Sequence, residues 1–276
     1  MLPLQVWLEP NGERNERIRN EYKCNEAEHS AYALYDIFLA EPRIPAGPGS
    51  LIIDKRWLPE RWSPVRMLQT VQKPFLYDHL WRNPPRISSS AFEKQFEWDI
   101  QPDCAYYVSL QAFPPHFHNW VKGFAPIVQN RAFAPYLTIK FGMDRLSETA
   151  VLNELAVTSA IALYNRWYLK RRARQSINKN TNWSKKQQSQ IRHYSILFLA
   201  SKWELWYTVP KTYENWTGCN MFIVDVGTCI FGGAKTVDLL LTHLNDIHFW
   251  GLTVHGKSCK ADVDIIRYNQ KSRGPG

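Results

Sequence analysis

The chain has 276 residues, of which 45% are hydrophobic and 21% charged, enough for one large domain with a substantial buried core. A formal net charge of +9 favours nucleic acid, an anionic surface or an acidic partner, and no apolar run is long enough to span a membrane. Five widely spaced cysteines, Cys24, Cys104, Cys219, Cys229 and Cys259, form no CxxC pair, which argues against a disulfide scaffold and for a reducing compartment.

The opening MLPLQVWLEP has no basic n-region and no sustained apolar core, so no signal peptide is expected, and the expected location is cytoplasmic or nuclear. Residues 9 to 23 are highly charged and read as a flexible arm. From Asn25 to Leu39, Ala27, Ala31, Leu34, Tyr35 and Phe38 recur at three- and four-residue steps, which predicts a helix. Pro42, Pro45, Gly47, Pro48 and Gly49 end it. Leu51 to Asp54 reads as a short strand, and Val65 to Gln72 and Phe75 to Arg82 as short helices in a Trp- and Pro-rich stretch. This part reads as an N-terminal helical extension laid on the main sheet, residues 1–91, with the core at 92–265 and a flexible polar tail at 266–276.

Cys104 to Leu110 is a strand candidate preceded by Asp103. Pro114-Pro115-His116-Phe117-His118 follows as a loop with a helical turn at Trp120; the two imidazoles would share one face if the segment were extended. Tyr136 to Phe141, YLTIKF, is rich in β-branched and aromatic residues and predicts a strand. Gly142 to Ser147 is a turn, with Ser147 as a helix cap and Glu148 at the positive end of the dipole. From Ala150 to Tyr168 there is no Gly or Pro, and Val151, Leu152, Leu155, Ile161 and Leu163 spread over more than one face. That predicts a long buried helix, with Lys170, Arg171 and Arg172 at its negative end.

Residues 166 to 192 hold nine Lys or Arg and no Asp or Glu. Lys170, Arg171, Arg172, Arg174, Lys185 and Lys186 are the candidates here for contact with the phosphates of DNA or RNA; the alternative is a solvated helix end and a mobile loop over Ser176 to Ser184. Ser195 to Ala200 and Trp203 to Val209 predict two strands joined at Ser201-Lys202, Asn220 to Phe231 a strand broken at Gly227, and Ala234 to Ile247 a helix with Val237, Leu240, Leu241 and Leu244 on one stripe. The tail after Asp262 reads as polar and frayed. His248, His255 and Cys259 lie close in sequence but match no standard zinc spacing. No GxxxxGK[ST], GxGxxG or GxSxG occurs, so nucleotide hydrolysis and acyl transfer lack their motifs.

The segments PYLTIKFG and IALYNRW, with WTGCNM, LNDIH and WGLTVHG further on, resemble a family of fungal proteins of uncharacterised function related to the PD-(D/E)XK nuclease-like superfamily, over roughly Phe92 to Asp262. The resemblance implies an α/β (α+β) fold, a mixed central sheet flanked by helices with a restriction-endonuclease-like core. Nuclease chemistry on this fold uses two carboxylates and a lysine at one end of the sheet. The carboxylates hold a divalent ion through oxygen ligands, which activates a water against phosphorus. Carried over, Asp103 fits the first acid, but the second acid falls on Lys140 and the lysine on Gly142. The resemblance thus implies a degenerate site without a resident cofactor, in which Asp103 and Lys140 form a salt bridge. Its basic edge would make the protein a nucleic-acid-binding, regulatory or effector module. The first alternative is an active nuclease in which Glu154 on the following helix, or as second choice Glu148, supplies the missing acid, with Asp103 and Glu154 holding Mg²⁺ or Mn²⁺ beside Lys140. The second is a protein–protein interaction module.

Overall fold

The computed structural model describes residues 25–38, 64–68, 82–85, 102–142, 148–177, 182–200, 202–228 and 234–271. They form helix α1 (Glu26–Asp36), strands β1 (Pro64–Leu68) and β2 (Cys104–Ser109), 3-10 turns at Leu110–Ala112 and Pro115–Phe117, helix α2 (His118–Lys122), and strands β3 (Ile127–Val128) and β4 (Ala132–Gly142). Helices α3 (Glu148–Ser176) and α4 (Lys185–Gln188) follow, then β5 (His193–Leu199), β6 (Lys202–Pro210) and β7 (Cys219–Thr228). Helix α5 (Ala234–Trp250), a π-helical segment (Gly251–Gly256) and α6 (Lys257–Lys271) close the chain.

The sheet is mixed, with strand order β1-β2-β4-β5-β6-β7 and β3 hydrogen-bonded to β4. All neighbours are antiparallel except β4 and β5. That parallel pair needs a crossover, and α3 supplies it. Helix α3 therefore starts beside the C-terminal end of β4 and ends beside the N-terminal end of β5.

Alternation decides which side chains meet which layer. Thr138, Lys140 and Gly142 share the α3 face; Val151 and Leu155 of α3 pack there with Leu197 and Leu199 of β5. Ile139 and Phe141 point the other way, where Phe38 packs edge-on against Phe141 and Phe198. Asn25 and Glu28 form a reciprocal capping box at the start of α1, and Arg66 of β1 donates to the carbonyls of Leu34 and Phe38 at its end. Leu240, Leu244 and Ile247 of α5 join the same core.

Several expectations need correction. Val65–Leu68 is part of a strand, not a helix: the segment pairs antiparallel with β2, and that ladder outweighs local propensity. His116 and Phe117 lie in a 3-10 turn and His118 opens α2, so no extended segment aligns the two imidazoles. β7 runs unbroken through Gly227. A Cβ there would sit 2.4 Å from the Trp203 indole, so the glycine serves a close approach and not a break. The last helix does not stop at Ile247. It continues through a π segment to Lys271, and Asp262 and Val263 are buried. The central strand begins at Ala132, with Pro135 accommodated where the register against β2 shifts. The strand expected at Leu51–Asp54, the helix over Phe75 to Trp81, the Ser147 cap and residues 272–276 lie outside the described residues.

Candidate charge cluster at the carboxyl end of the central strand

Asp103 stands just before β2, opposite the end of β4, and its N–H donates to the Ile139 carbonyl at 3.1 Å. Its Oδ2 accepts the Phe141 N–H at 2.8 Å, and its Oδ1 accepts from Lys140 Nζ at 3.1 Å. Glu154, two turns into α3, points down onto the same face of the sheet, and its Oε2 lies 2.9 Å from Lys140 Nζ. One ammonium thus joins two carboxylates from two other elements. Lys140 is the deepest of the three, with 17% of its side chain exposed against 35% for Asp103 and 43% for Glu154. Partial burial alone would lower the Lys140 pKa; the Asp103 charge and the hydrogen bonds to Glu154 and Asp103 outweigh it and hold the value above that of an ordinary lysine.

A second lysine repeats the pattern two strands away. Lys140 pairs with Leu197 of β5, and Leu197 with Glu204 of β6, so Glu204 shares the face of Lys140. Lys202 Nζ bridges Glu204 Oε1 at 2.9 Å and Glu148 Oε1 at 2.6 Å, and the Trp206 indole N–H donates to Glu204 Oε2. These two ion-pair clusters together hold four described carboxylates and two ammonium groups. Behind Lys140, Thr138 on the same face meets His193 Nε2 at 3.1 Å and Ser195 Oγ at 3.2 Å, and Ser195 meets Ser159 of α3. Burial pushes the His193 pKa down to about 3, against a raising hydrogen bond with the Pro135 backbone.

The expected Asp103–Lys140 salt bridge is present, and Glu154 joins it. A divalent ion between these acids would need oxygen ligands near 2.0–2.1 Å for Mg²⁺, as an order of magnitude. The position between the two carboxylates is held instead by Nζ. Gly142, where the resemblance puts the lysine, lies against Leu199 and Val151 of the core. No group of three or more His, Cys, Asp or Glu able to hold a metal occurs among the described residues.

The six basic candidates divide. Lys170 is buried and donates to Asp262 Oδ1 at 2.9 Å; Arg166 donates to Oδ2 of the same carboxylate at 2.8 Å. Arg174 is buried, with Nη1 2.7 Å from Gln187 Oε1 and its guanidinium over Trp183. These two side chains hold α3 to α6 and to the α4 turn. Arg171 and Arg172 are half-buried, over Trp167 and Phe124, and Lys185 and Lys186 are exposed. All six lie at the far end of α3 from Glu154, about 25 Å along the helix axis for Arg171. Glu148, the second choice for the migrated acid, reaches Lys202 and not Lys140, and the sequence reading assigned no role to Lys202 or Glu204. A carboxylate flanked by tryptophans in a strand, Trp203-Glu204-Leu205-Trp206, was the available sign. Comparison with family models, curated proteins and solved structures returned no match.

Proposed function

We propose that this chain is a nucleic-acid-binding protein built on a scaffold resembling the PD-(D/E)XK nucleases, with the catalytic position closed by an internal cation. The observation that carries the proposal is Lys140 Nζ held within about 3 Å of both the Asp103 and Glu154 carboxylates. A divalent ion entering there must displace an ammonium that already has two partners. Asp103 also ties β2 to β4 through the Phe141 N–H, which gives that carboxylate a structural task without any metal. Phosphate contact belongs to Arg171, Arg172, Lys185 and Lys186, at the opposite end of α3 from the closed position. A phosphodiester bound there would not meet the acids of the Lys140 cluster.

Binding of 5′-hydroxyl DNA and RNA, measured across a range of salt, tests this. Affinity should fall steeply as salt rises, and the triple change Arg171→Gln, Lys185→Gln, Lys186→Gln should reduce the log–log salt slope by about 3. Absence of binding at low salt would remove the reading and direct attention to protein partners, for which the outer strand β7 leaves Phe222, Ile223, Val224 and Val226 substantially exposed.

A second reading has one observation in its favour. Glu154 reaches the cluster from α3, as an acid that had moved to the helix would. In that case Asp103 and Glu154 would hold Mg²⁺ or Mn²⁺, Lys140 would swing out to stabilise charge developing on the phosphate, and cutting would disappear in Glu154→Ala.

A further inference from the structure

A cleft partly open to solvent lies between α3, the start of β4 and the segment around Arg82. Three arginines line it, Arg82, Arg166 and Arg172, with Asn165, Tyr168 and Phe124. None of the described residues lining it is acidic. The Asn165 side chain pairs with both the N–H and the carbonyl of Arg82, at 3.0 Å each, which fixes that segment to α3 through its backbone. The Arg82 guanidinium lies 4.3 Å from the centre of the Tyr168 ring, and that of Arg172 5.5 Å from the Phe124 ring. Stacking of this kind holds a guanidinium flat while its N–H groups stay free to donate. Neither Arg82 nor Arg172 makes an ion pair with a described carboxylate.

The floor of the cleft adds a second, independent sign. Arg166 is 96% buried, and its Nε has no hydrogen-bond partner. Its terminal nitrogens bind Asp262 and Ser258, but Asp262 is shared with Lys170. Two buried cations therefore face one buried anion. His255 and Cys259 do not alter that balance: burial holds the first neutral and pushes the second up to about 11. An uncompensated buried charge is costly, and an anion in the adjoining cleft would offset it.

We propose that this cleft is a binding site for the phosphate of a phosphomonoester, received by Arg82 and Arg172 at its mouth and neutralising the excess charge around Arg166. A dianion answers three arginines better than a carboxylate does, and guanidinium forks match phosphate oxygens in pairs. The phosphate has two sources, the 5′ end of a nucleic-acid strand or a small phosphorylated metabolite. The site does not depend on polynucleotide binding at Arg171, Lys185 and Lys186.

Thermal unfolding of the full chain in inorganic phosphate, against chloride of equal ionic strength, tests the proposal. At a hundredfold excess over Kd the melting temperature should rise by roughly 5–10 °C. The rise should disappear in Arg82→Gln and in Arg172→Gln and persist in Lys211→Gln, an exposed lysine outside the cleft. A 5′-phosphorylated oligonucleotide that competes better than both adenosine 5′-monophosphate and its own 5′-hydroxyl twin would identify a strand end as the ligand. Equal competition by the mononucleotide would identify a small phosphomonoester. No rise in phosphate, or an equal rise in Arg82→Gln and Arg172→Gln, overturns the site.

Discussion

Lys140 brings a positive charge into the space between two carboxylates, and the consequences can be measured at that one residue. Lys140→Met would leave Asp103 and Glu154 facing each other without a counter-ion. We expect a loss of about 1–2 kcal/mol in urea unfolding, because the ion pairs are partly solvated and fall between exposed and fully buried cases. The variant should be stabilised by Mg²⁺ and returned to its starting stability by EDTA, while the wild type should be indifferent to both. Folding raises the Lys140 pKa. Its contribution is therefore complete below the unfolded lysine value of about 10.4 and is lost as pH climbs through the higher folded value. The buried histidines act on the acid side. His193 is held down to about 3, His248 to about 4 and His255 well below its ordinary value, yet all three protonate at about 6.5 when unfolded. Stability should fall as pH drops below that point, by about 4 kcal/mol per pH unit while all three stay neutral in the fold. His193→Gln, whose amide can still meet Thr138, should cut that slope by about a third in urea titrations across the acidic range. Asp103 and Lys140 were legible as a pair only through the family resemblance, which set both at one end of the sheet. Glu204 was not, because its place beside Lys140 depends on the pairing of β4, β5 and β6.

Helix α3 shows where legibility at the level of elements stops. Its start and buried character follow from an apolar run without Gly or Pro, but its last two turns look like a solvated basic end. The structure buries both Lys170 and Arg174 there: Arg174 meets Gln187 and Trp183, and Lys170 is buried because α6 returns with Asp262, a residue 92 positions away from it. A one-dimensional charge run cannot reveal so distant a partner. Asp262→Asn should cost about 3–5 kcal/mol, since it leaves Arg166 and Lys170 buried without their anion; chemical unfolding against wild type would show it. The junction of α5 and α6 has a similar hidden constraint. Gly251 lies so close to Tyr136 that a Cβ would stand 2.5 Å from the ring. Gly251→Ala should destabilise by about 1–3 kcal/mol through overpacking, despite the better helix propensity of alanine, again by chemical unfolding.

At the scale of the whole molecule, the long crossover helix separates two kinds of charge. The end of the sheet near Lys140 and Lys202 holds paired lysines and an excess of carboxylates. The other end holds Arg82, Arg171, Arg172, Lys185 and Lys186. Composition reports only the sum, a net +9, and cannot show which described charges are paired and which are exposed. The mixed sheet flanked by helices was readable from strand and helix periodicities; the separation of basic residues from acids required the parallel β4–β5 pairing. Exposed basic residues at one end and a closed charge cluster at the other are the two features on which the proposed binding without cutting rests. The most direct measurement is cleavage of supercoiled plasmid, linear DNA and RNA by one preparation, in Mg²⁺, Mn²⁺ or EDTA, beside Asp103→Ala and Glu154→Ala. We expect no metal-dependent cutting by any of the three proteins. Cutting by the wild type that requires the metal and is lost in both variants would contradict the closed site and make Glu154 a metal-binding acid.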